Sequence, residues 1–85
     1  MSRVLIIEDE LPMRTALQDC LASEGYRVLG AADGERGLAH ALQDKPDLIL
    51  LDIMMPRLDG YSLCAELRRR GNAVEETQLR ARLLR

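Results

Sequence analysis

Three short, unbroken aliphatic runs alternate with helical stripes along this chain, and that alternation leaves few architectures open. Val4-Leu5-Ile6-Ile7 has no polar residue at alternate positions, so a strand made from it needs cover on both faces. Arg27-Val28-Leu29-Gly30-Ala31 and Asp47-Leu48-Ile49-Leu50-Leu51 are the second and third such runs. Between them, Met13, Ala16, Leu17, Cys20 and Leu21 recur at helical spacing, with Gly25 as a stop signal. Leu38, Ala41 and Leu42 form a second stripe between an N-capping Asp33 and Pro46. Leu63, Cys64 and Leu67 form a third, with Asp59 as its cap. The order β-α-β-α-β-α predicts a parallel sheet with helices on both faces.

At 85 residues the chain is expected to form a single small domain with a thin stability margin. Residues 73–85 break the pattern: AVEETQLRARLLR places Leu79 and Leu83 four apart, which predicts a short helical tail rather than another strand. Charge is divided the same way. Residues 1–67 carry 12 acidic and 6 basic side chains, whereas residues 68–85 carry 6 Arg against Glu75 and Glu76. An acidic body suits a cation site; the basic tail reads as a solvated helix end rather than a nucleic-acid contact. Cys20 and Cys64 match no zinc spacing and read as buried or half-buried thiols in a reducing compartment. No apolar run is long enough to span a membrane, and Met1-Ser2-Arg3 leads directly into a strand, so a cytoplasmic protein is expected.

The chemistry concentrates at two strand ends. Glu8, Asp9 and Glu10 follow the first run, and Asp52 follows the third. In a flavodoxin-like doubly wound sheet of order 2-1-3, those strands are neighbours and the crevice opens at their carboxyl ends. Converging carboxylates repel one another unless a cation or protons intervene. A hard divalent ion such as Mg²⁺, with oxygen ligands and a phosphate, resolves the conflict. Each residue also has a plainer reading: Glu8, Asp9 and Glu10 complement a helix N-terminus, and Asp52 closes a strand at a turn. The combination favours the site, and no accompanying Ser or His suggests hydrolytic chemistry.

VLIIEDE, AADGERGL and DLILLDIMMPRLDG resemble the signatures of response-regulator receiver domains of two-component signalling, over residues 3–72. The resemblance implies a partial receiver at 1–72, with 73–85 as a basic tail outside the family pattern. It implies an incomplete flavodoxin-like fold of three βα units, with Asp52 as the phosphoacceptor. Glu8 and Asp9 would hold Mg²⁺ with Asp52 and the backbone carbonyl of Met54, Asp9 being the more direct ligand. Glu10 has a weaker role, and Pro56, Asp59 and Gly60 shape the loop after the acceptor. The phosphoryl donor would be a phosphohistidine on a sensor histidine kinase or phosphotransfer protein. The chain would then be no enzyme beyond its own phosphorylation and dephosphorylation. His40, mid-helix, reads as a surface histidine.

A complete receiver has five strands and five helices, a Ser or Thr ending the fourth strand, and a Lys ending the fifth. Lys45 is the only lysine and precedes the third strand, so it does not fill that place. Thr77 follows Glu75-Glu76 with no strand expected before it, and is not assigned the sensing role. The third strand becomes an edge that invites pairing with another chain, and packing of the tail helix, homodimerisation or instability are the outcomes left open. Two alternatives follow: a switch-defective receiver that docks a kinase or dimerises, and a fragment of a DNA-binding transcription regulator, for which the Arg-rich tail is too short.

Overall fold

The computed structural model describes residues 2–52 and 60–77. The elements run β1 (Arg3–Ile7), α1 (Leu11–Ser23), β2 (Arg27–Ala31), α2 (Gly34–Asp44), β3 (Leu48–Asp52), α3 (Gly60–Arg69) and β4 (Val74–Thr77). The described strands form one parallel sheet of order β2-β1-β3-β4. The expected 2-1-3 arrangement is thus present, with a fourth strand added.

Strand alternation divides the core into two layers. On one face Leu5, Ile7, Ala31, Ile49, Leu51 and Val74 pack with Ala41 of α2 and Cys64 and Leu67 of α3. Gly37 explains how closely α2 approaches: a Cβ there would lie 2.4 Å from Ile7 Cδ1. On the other face α1 covers Val4 and Ile6 with Met13, all buried. Leu48 and Leu50, on that same face of β3, remain half-buried.

Three helix ends show the local rules at work. Asp33 caps α2 as expected, its side chain accepting from the Arg36 amide at 2.7 Å. Helix α1 closes on Gly25 (φ +94°), with Tyr26 N–H donating to Leu21 O and Gly25 N–H to Ala22 O. Helix α3 closes identically on Gly71 (φ +91°), through Asn72 to Leu67 O and Gly71 to Arg68 O. Helix α2 instead places Lys45 in the left-handed region (φ 48°, ψ 63°). A Cβ in that conformation is unfavourable by about 1–2 kcal/mol, part of which glycine's freer unfolded chain offsets. Lys45→Gly is therefore expected to stabilise the fold by about 0.5–1 kcal/mol, measured by denaturant unfolding with unchanged m.

Four expectations are corrected here. The tail helix is not formed at its start: Val74–Thr77 is a strand parallel to β3, with Ile49 N–H donating to Ala73 O at 2.9 Å. The open edge of β3 and the burial of β-branched Val74 in the core outweigh the helical propensity of Ala73, Glu75 and Glu76. Consequently β3 is paired on both sides and offers no edge for a homodimer. Positions 78–85, the rest of the expected helix, lie outside the described residues. Third, Ala16 and Cys20 are exposed, because α1 turns Met13, Leu17 and Leu21, with Arg14 and Gln18, toward the sheet. Fourth, Leu42 stands half-exposed rather than in the α2 stripe.

Helix α3 carries a surface ion-pair cluster. Glu66 accepts from Arg69 and Arg70, each at 2.7 Å, and these bonds lower its carboxyl pKa to about 2. Because the folded value is depressed, the linked stability is present above the ordinary value of 4.5 and is lost as pH falls toward 2. An NMR titration of the Glu66 side-chain carbon is expected to show its midpoint near that lower value.

Candidate metal and phosphoryl site

Parallel pairing brings the two acidic segments together. The chain passes from β1 to β2 on one side of the sheet and returns to β3 on the other, so a crevice opens between the carboxyl ends of β1 and β3. Register places Ile7 opposite Leu51, so the next residue along each strand, Glu8 and Asp52, arrives at the same end of the sheet. Glu8 and Asp52 are both fully buried, and Asp9 is exposed at the rim.

One carboxylate oxygen from each of Glu8, Asp9 and Asp52 lies within 4.8 Å of the others. This is the juxtaposition expected from the sequence. Asp52 is the last residue of β3 rather than the first of the following loop, which fixes its backbone in the sheet. Three carboxylate oxygens of this hardness, two of them inside the protein, match the donor set of a small divalent cation that keeps some of its waters. Carboxylates held this close repel one another unless positive charge joins them.

The backbone holding these groups is tied on several sides. Glu8 N–H donates to Ala31 O of β2 at 3.0 Å, and Glu8 O accepts from Arg14 Nη1 at 2.7 Å. Glu10 sits at the N-cap of α1, is exposed, and makes no side-chain cap bond. Met54, Pro56 and Asp59 lie outside the described residues; Gly60 begins α3. His40 shares a 2.7 Å hydrogen bond with Asp44 on α2, away from this crevice.

One strand end beside the site was missed from the sequence. Thr77 ends β4, and its backbone stands in register beside Asp52. The expectation that no strand precedes it is therefore overturned. The signal that could have found it is β-branched Val74 with Thr77 three residues on, at the point where a fourth parallel strand is due. The acidic pair Glu75-Glu76 obscured it.

No described helix is long and apolar enough to cross a membrane. Comparison with known proteins gives one consistent answer. The family model of the response regulator receiver domain matches residues 4–79. The chain is 47% identical over 66 residues to the alkaline phosphatase synthesis transcriptional regulatory protein PhoP of Bacillus subtilis, covering 78% of this chain and 28% of that protein. A response regulator receiver domain protein from Clostridium thermocellum superposes with a TM-score of 0.84 at 25% identity, covering 89% of this chain and 64% of that one. TrrA of Thermotoga maritima, solved with Mg²⁺ and BeF, gives 0.80 at 33% identity and 89% against 66% coverage. TrrA in complex with the histidine kinase ThkA gives 0.81 at 32% identity, with 89% and 67% coverage. The chain thus spans under a third of this curated relative and about two thirds of the solved receivers.

Proposed function

This chain belongs to the response regulator receiver domain family, and on that premise we propose that it accepts a phosphoryl group on Asp52 from a phosphohistidine of a partner histidine kinase. The convergence of Glu8, Asp9 and Asp52 within 4.8 Å carries this reading. It is supported by TrrA, whose structures hold Mg²⁺ with BeF in one case and a histidine kinase in another.

In this reading an Asp52 carboxylate oxygen attacks phosphorus in line with the leaving imidazole. The N–P bond breaks, its electron pair returns to the donor nitrogen, and an acyl phosphate forms on Asp52. Glu8, Asp9 and Asp52 would hold Mg²⁺, with the Met54 carbonyl as a further donor, and the bound ion would offset repulsion between the anionic nucleophile and the anionic phosphoryl group. Burial of Asp52 at the end of a paired strand supports this reading, because it limits how far the nucleophile can move before attack. The backbone register of Thr77 beside Asp52 supports Thr77 as the residue that would meet the new phosphoryl group. The chain acts as a phosphoacceptor, not as a turnover enzyme on an external substrate. The transcriptional role in the name of PhoP attaches to a protein of which this chain spans 28%.

The test is intact-mass analysis after incubation with a small-molecule phosphodonor. Wild type is expected to gain one phosphoryl group in Mg²⁺ and none in excess chelator. Unmodified protein in Mg²⁺ would refute the assignment.

A further inference from the structure

We propose that Arg14 is a positioning residue for the metal site, stapling the backbone that carries Glu8 and Asp9 from both ends. Its backbone N–H donates to Glu10 O at 2.9 Å, the first hydrogen bond of α1. Its side chain turns back along the chain and donates from Nη1 to Glu8 O at 2.7 Å. One residue therefore grips the carbonyls on either side of Asp9. The Glu8 amide is fixed independently by Ala31 O at 3.0 Å. The segment between β1 and α1 has little freedom left, and Asp9, the exposed member of the carboxylate set, sits at its centre.

The path of that side chain is prepared in β2. Gly30 lies beneath it: a Cβ there would come 3.0 Å from Arg14 Cδ and 2.9 Å from both terminal atoms of Gln18. Arg14 and Gln18, one turn apart on α1, lie flat across the sheet where any larger residue would lift them. The arginine stem is thus half-buried along the route to Glu8 O, and the guanidinium is held before any ion arrives. A fork of donors on a delocalised cation suits such a partly buried carbonyl; lysine ends one atom short of the same reach.

Charge and position predict opposite signs. Arg14 brings positive charge toward three carboxylates, so by Coulomb's law alone its removal would tighten the hold on a divalent cation. If Arg14 acts by fixing the ligand backbone, its removal weakens that hold. Groups that orient metal ligands without touching the metal typically change affinity by 10–100-fold. We place Arg14 at the lower end, because Ala31 retains one of the anchors.

The inference rests on the metal reading above, and the experiment separates the two. Mg²⁺ alone is titrated into ¹⁵N-labelled full chain, following the Asp9 and Asp52 amides, at a temperature where circular dichroism shows each variant folded. Arg14→Met, which keeps the apolar stem and loses both donor and charge, is expected to bind Mg²⁺ about tenfold more weakly than wild type. Arg14→Lys, with the charge kept and the reach shortened, is expected to fall between them and decides the matter if the Met variant does not fold. Unchanged or tighter binding in Arg14→Met, or wild-type affinity in Arg14→Lys, overturns the role given to Arg14. A wild type that shows no saturable Mg²⁺ response refutes the metal reading itself.

Discussion

Asp52→Asn is expected to take up no phosphoryl group under conditions that modify wild type fully, and to melt at a higher temperature than wild type in chelator. The first half follows from chemistry: the amide oxygen is a poor nucleophile toward phosphorus and cannot form a stable acyl phosphate. The second follows from the geometry. Two like charges within 4.8 Å of each other, at an effective dielectric constant of about 20, repel by about 3 kcal/mol or more. Asn occupies nearly the same volume without the charge, so the substitution relieves much of that repulsion around Glu8 and Asp9. After allowing for hydrogen bonds that the amide makes less well, the net gain is about 1–3 kcal/mol. For a domain this small that amounts to a rise of at least several degrees. Mg²⁺ should then raise the melting temperature of wild type clearly and that of the variant little. Thermal melts in chelator and in Mg²⁺ read both effects; a variant that melts below wild type in chelator would show that the carboxylates do not strain the metal-free site.

Leu5→Ala is expected to lose about 2–5 kcal/mol, enough to leave little folded protein at 37 °C. Leu5 lies at the centre of β1, itself flanked by β2 and β3, and none of its surface reaches solvent. It joins the core that α2 and α3 share over β3 and β4, so the cavity would open where the layers meet. The sheet backbone around it is hydrogen-bonded on both sides and cannot collapse inward to fill the space. A domain of this size begins with only a few kcal/mol in hand. Leu11→Ala is the matched control: that side chain is 62% exposed, and its removal should change stability by less than about 0.5 kcal/mol. Chemical denaturation of both variants gives the comparison. Equal losses at the two positions would contradict the core described here.

Much of the fold is legible in the sequence because the aliphatic runs leave no choice of face. Val4 to Ile7 can only be a strand covered on both sides, and once three such runs alternate with helices the neighbours of β1 follow. The site inherits that certainty, since Glu8 and Asp52 are fixed by where β1 and β3 stop. Local signals also transferred well: Gly25 and Asp33 are backbone solutions that depend on one residue and its immediate neighbours. The failures share a cause. Val74-Glu75-Glu76-Thr77 has weak strand character in isolation, and its conformation is set by the unsatisfied side of β3. Ala16 and Cys20 sit at helical spacing, but how much of a helix surface is covered depends on what packs there. The Arg14 bond to Glu8 O could not be read at all, because it depends on a side chain folding back over Gly30 from the neighbouring strand.

Every described strand pair in this sheet is parallel, and that sets how the molecule must assemble. A parallel pair cannot begin as a hairpin; each pairing closes a long excursion through a helix before its first ladder bond forms. Arg3 must find Arg27, and Val4 must then find Leu48, with β1 as the common template. The strand made first therefore waits for the third before both its flanks are satisfied, and β3 in turn waits for β4. Entropy is lost well before the contacts that repay it, so refolding should be slow for a chain of this length, and a nascent β1 should stay exposed until β3 has been synthesised.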